Sequence, residues 1–333
     1  MIIDAHAHVL APPELYAFMN RLIASRGAHG WAVPDIPDEA YEKQNRRLLG
    51  IMDRVGTDIQ ILSPRPFQSF HSEEPASMVF KWIGLVNDAI ERICTMHPDR
   101  FRGVAGLPEA PRTTPKDWLD EARRCIEEKR FVGVLLNPDP SEGMNATPTL
   151  GEEWWYPLYE WLQANDVPAL VHSTACRNGR EDYSSHFITE ESIAVLSLLR
   201  SRVLLDFPRL KLVISHGGGS VPYQVGRWTA ESVHPLFKQN RAIDEPFYES
   251  MRRLYYDSCI YHQESIELLI RLVGSDRVLF GTEKPGSGSA PDPRTGRELD
   301  DLKPVVESIS WLTDEDRARI FEKNARAVYT RIG

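Results

Sequence analysis

The chain has 333 residues, 42% of them hydrophobic and 26% charged, with a formal net charge of -9. Those proportions exclude a disordered or fibrous polymer, and a negative balance without basic stripes argues against nonspecific binding to nucleic acid or to acidic membranes. The four cysteines, Cys94, Cys125, Cys176 and Cys259, are widely spaced and form no CxxC pair, so neither a disulfide framework nor a thiolate zinc site is expected.

The chain opens MIIDAHAHVL, with no basic segment ahead of its short apolar stretch. No run approaches the ~20 apolar residues of a membrane span. The expected setting is a reducing cytoplasm.

Eight strand-like apolar runs follow in order: MIIDAHAH at 1–8, DIQILSP at 58–64, FRGVAGLPE at 101–109, FVGVLLNP at 131–138, VPALVHS at 167–173, LKLVISHGGG at 210–219, RLYYDSC at 253–259 and RVLFGTE at 277–283. Several are continuously apolar, the pattern of parallel strands covered on both faces. Helical spacing fills the intervals, at 38–56, 76–97, 116–128, 152–165, 189–200, 221–238, 263–273 and 314–331. The first of these places Leu48, Leu49, Met52 and Val55 on one face and stops at Gly56.

Strands alternating with helices favour an α/β fold, a (β/α)8 TIM-like barrel formed by residues 1–333 as one domain, over a doubly wound open sheet. Two breaker-rich stretches, 64–75 after the second strand and 284–298 after the eighth, read as rim insertions. The second lacks GK[ST] and any GxGxxG leading into a helix, so a substrate-covering loop is expected there rather than a phosphate cradle.

Residues two apart on a strand share a side, so His6 and His8 present paired imidazoles. His172, His216 and Glu283 close three later strands, and a barrel gathers those ends at one rim. Nitrogen and oxygen donors without thiolate suit zinc or manganese, with zinc preferred.

HAH on the first strand, histidines ending the fifth and sixth, and an acid ending the eighth resemble the amidohydrolase superfamily. Within it, MIIDAHAH, HPDRFRGVAGLP at 97–108, VGVLLNP at 132–138 and SHGGG at 215–219 are similar to the branch of decarboxylases and hydratases related to aminocarboxymuconate semialdehyde decarboxylase. That branch most often has GTD where this chain has GTE, and the continuation GTEKPG resembles the 4-oxalomesaconate hydratases of protocatechuate and gallate breakdown.

The resemblance implies one divalent metal, most simply Zn2+ with Mn2+ as the alternative, held by His6, His8, His172 and Glu283. No lysine-bridged second metal is expected, because the fourth strand ends in Asn137. It implies a hydro-lyase that adds water to the conjugated double bond of 4-oxalomesaconate to give 4-carboxy-4-hydroxy-2-oxoadipate. A nonoxidative decarboxylase of an aromatic or muconate-type acid is the alternative; a lactone or amide hydrolase and a noncatalytic binding protein rank below it.

Glu283, His216 and Tyr183 are the candidate catalytic groups. Arg65, Asn137, Arg294, Cys176 and His186 are candidate substrate contacts, with Arg177, Arg227 and Lys284 behind them; arginine is favoured because a tricarboxylate is bound best by bidentate pairing. Asp257 and Ser258 are expected to organise the rim. The HGGGS glycines offer either backbone donors to an anion or close packing of sheet on helix. Relatives in the branch associate, so a homo-oligomer, with a dimer favoured, is expected.

Overall fold

A computed structural model describes residues 1–28 and 32–333. Eight strands, β1 (Ile3–His8), β2 (Ile59–Ser63), β3 (Phe101–Gly106), β4 (Gly133–Leu136), β5 (Ala169–Val171), β6 (Leu212–Ile214), β7 (Tyr255–Asp257) and β8 (Val278–Leu279), form one sheet in sequential order. Every ladder is parallel. The sheet closes where β8 returns to β1, through Ala5 N–H donating to the Phe280 carbonyl at 2.8 Å and Glu283 N–H donating to the His6 carbonyl at 2.7 Å. A doubly wound sheet would reverse its strand order; this (β/α)8 barrel does not.

The strands are shorter than the apolar runs suggested. The run 210–219 stops pairing after Ile214, because His216, Gly217, Gly218 and Gly219 all take positive φ, at 48°, 62°, 83° and 63°. Apolar character continues past the last ladder bond wherever the strand end is still buried, so composition alone overruns the strand.

The first strand carries a change of phase. Its register with β2 pairs Asp4 with Gln60 and then Ala7 with Leu62, so Ala5 and His6 together stand opposite Ile61. Such a bulge re-aims the side chains beyond it. Ile3 and Ala5 therefore join Ile59, Ile61, Val104, Leu135, Leu170, Val213 and Leu279 in one buried apolar cluster, which Val328, Tyr329 and Ile332 of the C-terminal segment also enter. Beyond the bulge, His6 and His8 share the polar end of the barrel. A second apolar cluster, including Leu62, Val134, Leu136, Val171, Ile214 and Tyr256, lies between sheet and helices. Each such aliphatic side chain contributes roughly 1.5–3 kcal/mol of burial.

The helices at Asp38–Val55, Ala76–Met96 and Gln263–Val273 match their sequence patterns, and Gly56 ends the first with φ 76° and its N–H on the Met52 carbonyl. The buried stripe of Asp38–Val55 is Tyr41, Asn45, Leu48, Ile51 and Met52, rotated from the face that Leu49 and Val55 suggested. Pro13–Ala24 is a helix the pattern did not mark.

Three expected spans are corrected. The helix after β5 begins at Tyr183, capped by Asp182 accepting from Ser185 N–H at 2.8 Å, six residues ahead of the expected 189. The stretch 221–238 contributes only Val225–Val233, since Pro222 and Pro235 interrupt it. The stretch 314–331 is helical throughout Asp314–Val328, widening to a π turn over Arg319–Lys323, and ends three residues before the expected 331. Among the described residues no helix is long and apolar enough to cross a membrane.

Candidate metal centre and cavity

His6 and His8 at the end of β1, His172 after β5 and Glu283 after β8 each bring one donor atom within 4.8 Å of the others. The four rings of His6, His8, His172 and His216 meet edge to face, with centroids 4.9 to 5.3 Å apart. In His6, His8 and His172 alike, Nδ1 is occupied. His6 Nδ1 lies 2.7 Å from Asp257 Oδ2, His8 Nδ1 lies 2.9 Å from Ser63 Oγ, and His172 Nδ1 lies 2.6 Å from the Ser173 carbonyl. A carboxylate and a carbonyl can only accept, so His6 and His172 carry their proton on Nδ1 and present a bare Nε2. Ser63 Oγ is 3.2 Å from the Ala7 and Pro64 carbonyls, so it donates backwards and accepts from His8.

The Nε2 atoms of His6, His8 and His172 are buried and have no hydrogen-bond partner. Three bare imidazole nitrogens converging on a carboxylate are costly without an occupant. They fit a divalent cation. Burial pushes the His8 imidazole down to about 4 against the pull of Glu283. It also holds His172 well below its ordinary value, with the neighbouring His216 charge adding to the effect. Both rings are thereby kept neutral, as a ligand must be.

Glu283 sits in a left-handed backbone conformation, φ 59°, which is uncommon outside glycine and concentrates at functional sites. Gly286 allows it: a Cβ there would stand 2.4 Å from the Glu283 carbonyl oxygen. Oε1 lies 3.5 Å from His8 Nε2, while Oε2 accepts from Tyr261 Oη at 2.7 Å and from Ser287 Oγ at 3.3 Å. Burial would raise this acid, but the His8 contact and the charge of His216 outweigh it and hold Glu283 well below the usual carboxylate range. The longer side chain of GTE thus reaches the histidines and is also held from the other side.

His216 stands beside this group, its Nδ1 at 2.9 and 3.0 Å from the two oxygens of Glu191. Burial alone would lower it; the Glu191 carboxylate more than offsets that and holds it at about 10. The glycines after it serve packing. A Cβ on Gly217 would stand 2.4 Å from the Ile260 side chain, while Gly217 N–H donates to Asp257 and those of Gly218 and Gly219 turn back onto Ser215 and His216.

The cluster opens into a cavity of about 630 Å³, walled in part by His8, Glu283, Arg47, Arg65, Cys176 and Tyr183. The loop after β8 contributes Pro285, Gly286 and Ser287 to the same wall. Arg65 donates to the backbone carbonyls of Val9 and Pro285, at 3.2 and 3.5 Å. Neither Arg65 nor Arg47 pairs with a carboxylate among the described residues. Two arginines without a carboxylate partner among the described residues therefore line a cavity in an acidic protein.

The other sequence candidates lie elsewhere. Arg294 is 76% exposed and clasps Asp292 at 3.0 and 3.1 Å, outside the cavity wall. Lys284 is buried, with Nζ on Glu298 and on Asp300 at 2.5 Å, and anchors its loop. Arg177 pairs with Ser72 and Glu73, and Arg227 lines a separate surface hollow. Asn137 is buried, its Oδ1 accepting from Asp139 N–H at 3.1 Å and its Nδ2 without a partner. His186 is buried behind the wall, 3.1 Å from Glu181.

Sequence reasoning missed Arg47, Glu191 and Tyr261. Arg47 occupies what reads as the solvated face of a helix, and Glu191 lies in the interior of another. Tyr261 follows β7 without a motif around it. The only advance signal was the Arg46-Arg47 pair. Asp257 and Ser258 organise the rim as expected: one orients His6, the other bridges β7 to Gly281 at 3.1 Å.

Comparison with known proteins agrees with this geometry. The profile of the Amidohydrolase family matches residues 3–331. A 2-keto-4-carboxy-3-hexenedioate hydratase from a Sphingobium species is 32% identical over 337 aligned residues, covering 100% of this chain and 97% of that protein. The crystal structure of a 4-oxalomesaconate hydratase from Rhodopseudomonas palustris superposes with a TM-score of 0.88 at 33% identity, covering 100% of this chain and 96% of the other. A dihydroxybenzoic acid decarboxylase from a Polaromonas species, crystallised with manganese and an inhibitor, shares the fold at a TM-score of 0.73 and 22% identity, covering 99% of this chain and 96% of that one. The chain belongs to the amidohydrolase family.

Proposed function

We propose that this amidohydrolase-family protein is a metal-dependent hydro-lyase that adds water across the conjugated double bond of 4-oxalomesaconate, giving 4-carboxy-4-hydroxy-2-oxoadipate. One observation carries the reading: a three-imidazole, one-carboxylate cluster with bare Nε2 atoms opens on a cavity lined by two arginines without a carboxylate partner among the described residues. Such a wall suits a polyanionic substrate, since guanidinium binds carboxylates in a fixed fork. Full-length relatives named as hydratases of this substrate class point the same way.

His6, His8, His172 and Glu283 would hold one divalent ion, Zn2+ or Mn2+ by donor type. When bound there it supplies Lewis acidity toward the carbonyl-conjugated alkene and water. The chain's own groups divide the remaining work. Arg47 and Arg65 bind and orient the carboxylates. Glu283, facing the cavity, takes the proton of the attacking water as the new C–O bond forms. His216, its Nδ1 steadied by Glu191, donates toward the negative charge that develops on the carbonyl oxygen. The proton added to the neighbouring carbon comes from the Tyr183 and Cys176 side of the wall, which Glu283 reprotonates through the water of the cavity, so that one H and one OH are added in all.

The test follows the ultraviolet absorbance of 4-oxalomesaconate with metal-replete protein, beside a chelated control, and assays released carbon dioxide. Chelator-sensitive loss of absorbance without carbon dioxide is the expected result. Release of carbon dioxide would replace the hydratase by the decarboxylase reading, and no reaction with metal bound would refute the substrate.

A further inference from the structure

A second group of metal-competent side chains lies behind the cavity wall and shares no residue with the first. His186 is fully buried, its Nδ1 3.1 Å from Glu181 Oε2, and its Nε2 is buried without a hydrogen-bond partner. A ring nitrogen of His186 and carboxylate oxygens of Asp139 and Glu190 all lie within 4.8 Å of one another. The arrangement is built from two elements. His186 and Glu190 are four residues apart on one face of the helix Tyr183–Arg200, the spacing that points two donors the same way. Asp139 comes from the loop after β4 and is fixed there by Gly143 N–H at 2.7 Å, Ser141 N–H at 3.0 Å and the Ser141 hydroxyl.

Charge makes the cluster unusual. Three carboxylates, Asp139, Glu181 and Glu190, surround one imidazole, and among the described residues no lysine or arginine forms an ion pair with any of them. Burial, with the charges of Asp139 and Glu181, pushes Glu190 up to about 7. Negative charge gathered in a half-buried place calls for a compensating cation.

We propose that Asp139, His186 and Glu190 form a second divalent-cation site, distinct from the His6, His8, His172 and Glu283 centre. One imidazole and two carboxylates suit Mn2+ or Zn2+ rather than Ca2+, which prefers an all-oxygen shell. Its place gives it a structural task. A cation there ties the loop after β4 to the first turns of Tyr183–Arg200, and so steadies Tyr183 and, through the intervening loop, Cys176, both of which line the cavity.

The test is metal stoichiometry on the whole protein, stripped by chelator, equilibrated with Mn2+ or, in a parallel arm, Zn2+, desalted, and measured by plasma mass spectrometry. Two ions per chain are expected for the wild type and one for Glu190→Gln, with the second conservative variant Asp139→Asn as a check should the first fold poorly. His8→Ala should instead lose the other ion, which separates failure of this site from failure of the catalytic centre. A single ion in the wild type that persists in Glu190→Gln and disappears in His8→Ala overturns the proposal, as do two ions in every variant of Asp139 and Glu190.

Discussion

The two ends of the barrel interior are equally buried and chemically opposite. One end is the apolar layer of Ile3, Ile59, Val104, Leu135, Leu170, Val213 and Leu279, closed by Tyr329 and Ile332. The other holds His6, His8, His172, Asp257 and Glu283, with three bare nitrogens. Packing at the first end stabilises any sequence of similar volume. At the second end each histidine is placed by a specific partner, and the three bare nitrogens are costly to bury without one. The difference separates stability from chemistry along a few residues of each strand.

Substitutions at the two ends should therefore fail differently. Glu283→Gln keeps the size and removes the charge: turnover is expected to fall by about 10²–10⁴-fold, the usual worth of a positioned acid or base, with an unchanged circular dichroism spectrum. Near-normal turnover at normal metal content would take Glu283 out of the mechanism.

Leu170→Ala, in the apolar layer, should do the reverse. We expect a loss of about 2–5 kcal/mol in denaturant unfolding, while the native protein retains its bound metal. Loss of metal without loss of stability would mean that the two ends are not separable.

Asp257→Asn leaves the His6 ring in place and removes the carboxylate that fixes its proton on Nδ1. Metal affinity, read by competition with a chelating dye, should weaken about 10–100-fold. Unaltered affinity would show that the tautomer is set by something else.

The smallest expected effect concerns a buried pair outside both layers, His71 Nε2 and Glu109 Oε2 at 3.4 Å. Burial lowers His71 from 6.5 to about 3 and raises Glu109 well above 4.5, so both are neutral in the folded state. The depressed histidine contributes stability that is lost as pH falls from 6.5 toward 3, because the unfolded chain takes up the proton first. The raised acid contributes stability that is lost as pH rises above 4.5, because the unfolded chain releases its proton first. Glu109→Gln should thus gain on the wild type as pH rises from about 5 to about 8, measured by urea unfolding at both; a constant difference would refute the neutral pair.

How much of this was legible beforehand depends on whether the signal was local. Alternating apolar runs and helical stripes gave eight strands with helices between them, because strand and helix periods are written along consecutive residues. The proposed ligands could be named as candidates because His6 and His8 stand two apart on one strand and His172 and Glu283 each end an apolar run. What was overrun or missed lay where burial and hydrogen bonding come from a distant partner: the true end of β6 at Ile214, the early start of the helix at Tyr183, the bulge in β1.

The sequence by itself thus determined the barrel's alternation and the kinds of atom at its rim, since both follow from local period and residue type. Only the tertiary structure decided which nitrogen of His6 and of His8 is bare, because that depends on Asp257, 251 residues from His6, and on Ser63, 55 residues from His8. It also decided that Arg47 faces the cavity while Arg294 faces solvent. A guanidinium on a helix and one on a loop carry the same charge in the chain, and closure of the barrel alone fixes which of them a substrate meets.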